Sequence, residues 1–371
     1  MSSETTPYEL GKHPDMAPPA TTVGVIGWLR ANLFSSWVNS LLTLFALYLV
    51  YLIVPPVISW VFLDSTLSGE TRDSCTGDGA CWVFIKMRFA QFMYGFYPEV
   101  ERWRINFAAL LLIAMMVPLF INAFRWKGLL ATLLLFAYPV IAYYLLAGGS
   151  FGLAEVETPK WGGLMLTLVI AIIGIVASFP LGIVLALGRR SEMPIVRSIC
   201  VAFIELWRGV PLITVLFMSS VMLPLFLPEG VNFDKLLRCL IGVALFSSAY
   251  MAEVVRGGLQ AIPSGQYEAA DALGLSYWKK MGLIILPQAL KLVIPGIVNT
   301  FIGLFKDTTL VLIIGLFDFL GVVQMGATDP KWLGFSVEGY VFCAFVYWIF
   351  CFSMSRYSMS LERKLHTGHK R

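Results

Sequence analysis

The chain has 371 residues, of which 58% are hydrophobic and 13% are charged, and its formal net charge is +4. A soluble domain is about half apolar and about a quarter charged, so this composition excludes an ordinary soluble protein and indicates an integral membrane protein. The basic residues lie beside apolar runs instead of along one face, which argues for a membrane topology and against nucleic-acid binding.

Both ends of the chain are predicted to be cytoplasmic tails. Residues 1–36 begin with a proline-containing stretch that lacks the basic, apolar and small-residue order of a cleaved signal peptide. We therefore expect residues 1–36 to form a disordered tail and residues 362–371 to form a second, shorter one.

Apolar runs of about 20 residues, the length that crosses a bilayer, predict eight membrane-spanning helices and an all-α fold. The first run contains Pro55 and Pro56, so we expect it to kink or to end early. The eight predicted spans are residues 37–63, 105–124, 129–147, 163–187, 202–227, 236–255, 288–305 and 338–357.

A shorter apolar stretch at residues 310–325 is interrupted by Gly315, Asp318 and Gly321. It is too short to cross a bilayer on its own. We predict a half-helix or an interfacial segment near the outer surface.

The placement of lysine and arginine predicts the orientation of the spans. An N-terminus on the inside puts most basic residues that lie between spans in the cytoplasm. The loop 64–104 is basic and lies outside, but long loops cross membranes largely regardless of charge. Both termini are therefore predicted to be cytoplasmic. The basic residues placed in cytoplasmic loops are Arg125, Lys127, Arg189, Arg190, Arg197, Arg256, Lys279 and Lys280.

The chain is predicted to divide near residue 155. Residues 37–155 form an N-terminal extension of three spans with a periplasmic loop at 64–104, and residues 156–361 form a core of five spans. No sequence repeat makes one part a copy of the other.

A polar segment that contains several glycines, called the polar island below, separates the apolar runs of the third and fourth spans of the core. We predict a helix at residues 265–273 that is capped by Ser264 and stopped by Gly274 in the left-handed conformation. Ser276 is predicted to start a second helix that ends at Pro287.

The island carries an ordered motif of Glu-Ala-Ala from Glu268, three residues, glycine, nine residues, isoleucine, one residue, and Leu-Pro ending at Pro287. This motif resembles the cytoplasmic coupling loop of ABC importer permeases. Segments 249–258, 262–266 and 306–310 look like the polar amino acid branch of that family. The extra front part resembles the extended permease subunit of general L-amino acid importers.

The resemblance covers about residues 160–360 and implies a five-helix core of the type I importer fold, with residues 259–287 as the coupling loop. It also implies that the loop docks on a separate ATPase, whose nucleotide-driven closure moves the spans. The plainer alternative is an amphipathic loop without that role. The residues implied to dock are Glu268, Ala269, Ala270, Asp271 and Gly274.

The sequence contains no G-x-x-x-x-G-K-[ST] phosphate-binding loop, so we expect no ATPase site and no enzyme activity in this chain. The resemblance implies four kinds of partner: ABC ATPase subunits that use ATP and Mg, a homologous second permease chain, a periplasmic amino-acid-binding protein and membrane lipid. The chain itself is expected to bind no cofactor. We expect no metal site either, since the three histidines, His13, His366 and His369, all lie in the tails.

Two pairs of opposite charges lie within or at the ends of spans, where charge is costly. Glu205 and Arg208 are three residues apart, as are Glu253 and Arg256, so each pair can meet on one helix face. The simplest interpretation is a structural ion pair near the inner surface. A packing or gating role is supported by a resemblance to the family's arginine-glycine-x-proline motif, here Arg208, Gly209 and Pro211.

A polar run lies about 27 Å along the helix that follows Pro287, toward its outer half. Polar residues followed by a broken apolar run suit a discontinuous helix that lines a solute path. A desolvated amino acid needs partners for both its charges, which Lys306 and Asp307 can supply. The alternative is a helix end at which Thr308 or Thr309 bonds the backbone. The predicted substrate-path residues are Asn299, Thr300, Lys306, Asp307, Thr308 and Thr309.

Cys75 and Cys81 bracket a small turn in the outer loop, and we predict a disulfide between them in an oxidising periplasm, with two free thiols as the alternative. The remaining cysteines lie in or beside apolar runs and are predicted to serve packing. They are Cys200, Cys239, Cys343 and Cys351.

These features favour the membrane subunit of an ABC importer for polar or general L-amino acids in a bacterial inner membrane, working by alternating access. A permease for another small polar solute, such as an opine, is the nearest alternative. An ion-driven secondary transporter would show inverted repeats and buried acidic residues at mid-membrane. A membrane enzyme would show a cluster of titratable residues around one cavity, and the sequence shows none.

Overall fold

The computed structural model describes residues 24–121, 124–228 and 233–365. These residues form helices joined by turns and contain two isolated β-bridges but no β-strand. The all-α prediction is confirmed for the described part of the chain. The chain divides into two compact units, and each is described separately.

The first unit comprises the described residues up to Gly69 together with Asp73–Trp82. Helix α1 spans Gly24–Asn32. Helix α2 spans Trp37–Ile58 and continues as a π-helical turn over Ser59–Leu63.

Helix α1 corrects part of the predicted disordered tail at residues 1–36. Residues 24–32 carry the apolar side chains of Val25, Ile26 and Trp28 and form a regular helix, whereas residues 1–23 lie outside the described residues. The second predicted tail, residues 362–371, is helical up to Leu365 and lies outside the described residues beyond it.

Of the two effects predicted for Pro55 and Pro56, a kink or an early end of the first span, the early end is wrong. Proline removes a backbone donor, but hydrogen bonding resumes directly after the pair, because the N–H of Ser59 donates to the carbonyls of both prolines. The helical segment therefore runs unbroken for 27 residues, from Trp37 to Leu63.

A small loop follows this span. The N–H of Thr66 donates to the carbonyl of Ala80 at 2.9 Å, and the N–H of Trp82 donates back to Thr66 at the same distance. A disulfide joins Cys75 to Cys81, whose Cα atoms are 5.7 Å apart. The loop is thus closed both covalently and by backbone hydrogen bonds.

The second unit comprises Glu70–Arg72 and the residues from Val83 onward. It holds fourteen helices among the described residues, and the first of them begins at Trp82, one residue before Val83. They are α3 Trp82–Tyr94, α4 Arg102–Phe120, α5 Lys127–Thr132, α6 Tyr138–Ala147, α7 Gly163–Arg189, α8 Pro194–Gly209, α9 Leu212–Phe217, α10 Lys235–Ala261, α11 Ser264–Ala272, α12 Tyr277–Lys280, α13 Leu286–Leu292, α14 Ile294–Asp307, α15 Phe319–Thr328 and α16 Ser336–Leu365.

Helices α7 and α10 form the centre of this unit, and small residues let them approach closely. A Cβ atom at Gly182 of α7 would lie 2.6 Å from Cγ of Met251 on α10, so only glycine fits there. Two clusters of buried apolar side chains flank the helix pair. One contains Leu166, Ile170, Leu216, Cys239 and Val311, and the other contains Ala186, Ile204, Met251, Val255 and Ile285.

Seven described helical segments are long and apolar enough to cross a membrane, and an eighth is obtained if one bent pair of helices counts as a single span. The predicted number of spans is therefore confirmed by length and composition. The seven segments are Trp37–Leu63, Glu99–Phe120, Lys127–Ala147, Gly163–Arg189, Lys235–Ala261, Ile294–Ile314 and Ser336–Leu365.

The bent pair corrects the prediction of one straight span at residues 202–227. Helix α8 and the segment Leu212–Phe226, which starts with α9, meet at an angle of 102°. Val210 has extended backbone angles, φ −113° and ψ 134°, because the residue before a proline is driven away from the helical region. Pro211 therefore breaks a run that hydropathy alone reads as continuous.

The short apolar segment after α14 is broken, as predicted. A 3₁₀ turn over Thr308–Ile314 ends at Gly315 in the left-handed region at φ +72°. The carboxylate of Asp318 then caps α15 by accepting hydrogen bonds from the N–H groups of Leu320 and Gly321, at 3.2 and 3.0 Å. The result is a helix of ten residues, too short to span a bilayer.

Helix α3, in the predicted outer loop, packs deeply against the core within the second unit. The ring of Phe84 lies 5.5 Å from that of Trp332, and the ring of Phe92 lies 6.1 Å from that of Phe342. Arg88 also forms an ion pair with Asp329. Part of the extension therefore braces the end of the core where α15 and α16 meet.

Candidate functional site

The predicted coupling loop, residues 259–287 and called the coupling loop below, holds the short helix α11 at its centre. The predicted cap at Ser264 is wrong, since α11 already includes Ser264 and begins after Pro263, whose fixed φ of −57° suits a helix start. No side chain caps this helix end.

The predicted left-handed stop at Gly274 is confirmed. Gly274 has φ +67°, a conformation that costs residues with a Cβ atom about 1 kcal/mol or more. The N–H of Gly274 donates to the carbonyl of Asp271 at 2.9 Å, and the N–H of Leu275 reaches the carbonyl of Ala270 at 3.3 Å. These bonds satisfy the last carbonyls of α11 and turn the chain sharply.

The three alanines of α11 do not have the same environment. Ala270 is 1% exposed and packs into the protein, whereas Ala269 and Ala272 face outward. Glu268, Asp271 and Gly274 are exposed as well. The motif therefore presents small and acidic residues on one accessible surface while a single alanine anchors it from beneath.

Two large apolar side chains extend this accessible surface. Leu273 and Trp278 are each 74% exposed, although apolar residues of this size in a polar loop are usually buried. An exposed leucine and tryptophan next to small residues are typical of a docking surface.

The coupling loop is tied down at three points. Lys280 forms an ion pair with Asp271 at 2.5 Å, which braces α12 against α11. The hydroxyl of Tyr267 donates to the carbonyl of Leu259 at 3.0 Å and accepts a hydrogen bond from Arg190 at 3.0 Å. These contacts let a displacement of α11 reach the ends of α7 and α10.

Ser276 precedes α12 as predicted, but Pro287 does not end that helix. The helix continues through a π-helical turn over Met281–Ile285, and Pro287 lies in the first turn of α13. Proline is tolerated there because the first backbone donors of a helix have no internal partner.

A cluster of charged side chains lies between the ends of α7, α8 and α10. Glu253 contacts Arg189 at 2.9 Å, Arg256 at 2.7 Å and Arg208 at 3.6 Å. The predicted pair of Glu253 and Arg256 is present. The predicted pair of Glu205 and Arg208 is not, because Glu205 contacts Arg189 at 2.8 Å instead.

The cluster joins three helices that hydropathy treats as separate spans. Gly209 and Pro211 follow it at the bend between α8 and α9. The guanidinium group of Arg208 also lies 5.7 Å from the ring centre of Tyr250 on α10, a favourable cation–π contact. The charged residues therefore fix the position of α8 beside α10.

The predicted substrate-path residues lie along α14 and the turn after it. The hydroxyls of Thr300, Thr308 and Thr309 each donate to a backbone carbonyl three or four residues earlier, at 2.8 to 2.9 Å. The helix-end interpretation thus describes what these hydroxyls do in the structure. Thr308 is buried, whereas Asn299 and Lys306 are exposed.

Asp307 is half-buried and makes no ion pair with any described residue. Lys306, its neighbour, does not form an ion pair with it, which fits the rule that adjacent residues do not face each other on a helix. Asn299 and Lys306 are seven residues apart and share a face of α14. Asn299 and Lys306 are therefore accessible from outside the single chain.

Several residues of this site were not singled out from the sequence. Arg189 and Tyr267 act through contacts distant in sequence, which no local spacing reveals. Leu273 and Trp278 did leave a signal, because two large apolar residues inside a polar island are unusual.

Comparisons with known proteins show which family this chain resembles. Residues 178–367 match the family described as "Binding-protein-dependent transport system inner membrane component". The inner membrane amino-acid ABC transporter permease protein YhdY of Escherichia coli is 59% identical over 356 residues, which cover 96% of this chain and 97% of that protein. The glutamate/glutamine/aspartate/asparagine transport system permease protein BztC of Rhodobacter capsulatus is 42% identical, with coverage of 95% and 96%. A crystal structure of an amino acid ABC transporter with histidines is 29% identical, covers 54% of this chain and 92% of its own, and has a TM-score of 0.48.

Proposed function

The chain belongs to the family of inner membrane components of binding-protein-dependent transport systems, and on this premise we propose that it is the permease subunit of an ATP-driven importer for L-amino acids. Two amino-acid permeases match it over nearly the whole length, including the N-terminal extension, which supports this substrate class. The observation that carries the proposal is the coupling loop, an accessible short helix rigidly braced to the ends of two central helices.

The energy source is a separate ATPase that uses ATP and Mg. The exposed side of α11, with Glu268, Ala269, Asp271 and Gly274, docks in a groove of that subunit, and Leu273 and Trp278 supply apolar contacts. Because Tyr267 and Asp271 brace the loop, movement of the docked helix is passed to the spans. This arrangement gives alternating access without any nucleotide site in the chain.

The complete importer contains more chains than this one. We infer two ATPase subunits, a homologous second permease chain and a periplasmic amino-acid-binding protein. Lysine and arginine placement supports cytoplasmic N- and C-termini in a bacterial inner membrane. The second permease chain completes the solute path, since the polar face of α14 with Asn299 and Lys306 is left exposed in a single chain.

Reconstitution tests the function directly. The purified assembly in proteoliposomes, supplied with binding protein outside, is expected to accumulate labelled amino acids only when ATP and Mg are present at the ATPase side. Accumulation driven by a proton or sodium gradient without ATP would contradict the proposal and favour a secondary transporter.

Asp307 is expected to contribute to the solute path through its unpaired, half-buried carboxylate. Asp307→Asn should lower uptake by about tenfold to a hundredfold, the range expected when one hydrogen bond to a charged group is lost. Basal ATP hydrolysis should not change, because the coupling loop is untouched. Uptake at several amino acid concentrations measures the effect.

Asp78→Asn, the same loss of charge in an exposed turn of the first unit, serves as the control. Normal uptake and normal selectivity in Asp307→Asn would remove this residue from the solute path.

A further inference from the structure

The turn between α7 and α8 and the end of α10 enclose a cavity of about 510 Å³ that solute transport and ATPase docking do not explain. Arginines dominate its wall. The lining residues are Arg189, Arg190, Arg197, Val201, Arg256 and Gln260. Guanidinium groups converging on one concave space favour a phosphate or carboxylate, which they bind in bidentate fashion.

The neighbouring carboxylates do not neutralise this cavity. Glu205 and Glu253 form the charged cluster with Arg189, Arg208 and Arg256. With Arg190, Arg197 and Glu192, the cavity, the cluster and the turn between α7 and α8 together contain five arginines and three glutamates, a surplus of two positive charges. The C-terminal dipoles of α7 and α10 offset only about half a charge each. A net attraction for an anion remains.

Arg197 is the clearest unused donor. It projects from α8, is exposed, and its guanidinium group makes no ion pair or side-chain hydrogen bond with any described residue. Arg190 uses one nitrogen for Tyr267 and leaves the others open. Both side chains are thus available to a ligand without breaking an existing contact.

The level of the cavity identifies the kind of anion. The candidate span of α7 ends at Arg189 and that of α10 ends at Ala261, so the cavity lies at the ends of two candidate spans. Helix α8 also carries an exposed apolar stripe, with residues four and seven positions apart, that runs past the cavity. The stripe consists of Ile195, Ile199, Ala202 and Leu206.

We propose that this cavity binds the phosphate headgroup of an anionic phospholipid from the adjacent leaflet, with the acyl chains along the apolar stripe of α8. Basic pockets between spanning helices near the cytoplasmic surface recognise such headgroups. The bound lipid holds α8 against the ends of α7 and α10, close to the Tyr267 brace of the coupling loop. Lipid binding at this cavity requires the surrounding membrane but does not require a docked ATPase.

Lipid retention by the delipidated full assembly provides the test. Native mass spectrometry in detergent compares added phosphatidylglycerol with phosphatidylcholine of the same chain length. Wild type should retain phosphatidylglycerol preferentially. Arg197→Gln should weaken retention about fivefold and Arg197→Glu about twentyfold, as expected for one and two units of charge near a headgroup. Because Arg197 makes no ion pair or side-chain hydrogen bond with a described residue, both variants should fold normally, as gel filtration would show.

Arg125→Gln is the matched control, an exposed arginine at the end of another span and outside the cavity. It should retain lipid like wild type. Equal retention of both lipids, unchanged retention in the Arg197 variants, or an equal loss in Arg125→Gln would overturn the proposal. Complete displacement of phosphatidylglycerol by millimolar inorganic phosphate would show a free-phosphate site instead and would also overturn it.

Discussion

Ala269→Trp is expected to leave the permease assembled in the membrane but to reduce ATP-driven uptake at least about tenfold. Ala269 lies on the outward side of α11, where its small side chain lets another backbone come close. An indole there has no room in a closely docked partner, and overpacking of this kind costs about 1–3 kcal/mol. Uptake by proteoliposomes, together with ATP hydrolysis stimulated by the binding protein, measures the loss of coupling.

Two variants define the interpretation of this result. Ala269→Ser keeps the side chain small and should transport normally. Ala270→Trp changes the neighbouring alanine, which is 1% exposed, and should lower the amount of folded protein instead of uncoupling it. Normal uptake by Ala269→Trp would show that this side of α11 faces no partner.

Gly274→Asp is also expected to reduce ATP-driven uptake in the same assay, but for a different physical reason. The left-handed backbone at φ +67° disfavours a side chain, and the added carboxylate would stand at the docking surface. There is space for the side chain itself, since no other atom lies within 4 Å of a Cβ built at this position. The chain should therefore still fold.

The second large effect concerns stability. Glu253→Gln should lower the midpoint of thermal unfolding by about 5 °C in detergent, because it removes a carboxylate shared by Arg189, Arg208 and Arg256. Three guanidinium groups would then face each other with Glu205 alone to offset them. The side chain of Glu253 is 15% exposed, so solvent screens the repulsion only partly.

Glu205→Gln is the matched control for this prediction. Glu205 is 55% exposed and contacts Arg189 alone, so its loss should cost less than about 1 kcal/mol. Equal shifts in the two variants would show that Glu253 has no central role in the cluster. Added salt should narrow the difference between wild type and Glu253→Gln, since it screens like charges.

Local chemistry made much of this fold predictable. Long apolar runs located the spans, and Gly274, a glycine with a positive φ, stopped α11 at the expected residue. Hydropathy did not predict the bend at Pro211, because the proline breaks the helix there while the surrounding run stays apolar. It also placed the span at residues 288–305 too early, because α13 is a separate helix before Ile294–Ile314.

The candidate site was only partly predictable for a related reason. The proposed docking motif is contiguous in sequence, so its pattern was visible. The pairing of Glu205 with Arg189 depends on how α7 and α8 pack, and spacing along α8 alone favoured Arg208. The role of Tyr267 likewise depends on Arg190, a residue 77 positions away.

Site-specific photo-crosslinking from Glu268 tests the central claim most directly. A photoreactive phenylalanine analogue at this position, on the exposed side of α11, should crosslink the purified assembly to its ATPase subunit. The same probe at Phe151, an exposed residue in the turn before α7, should not. If Glu268 gives no crosslink to any ATPase while the assembly still transports amino acids, force enters this permease by another route and the account is wrong.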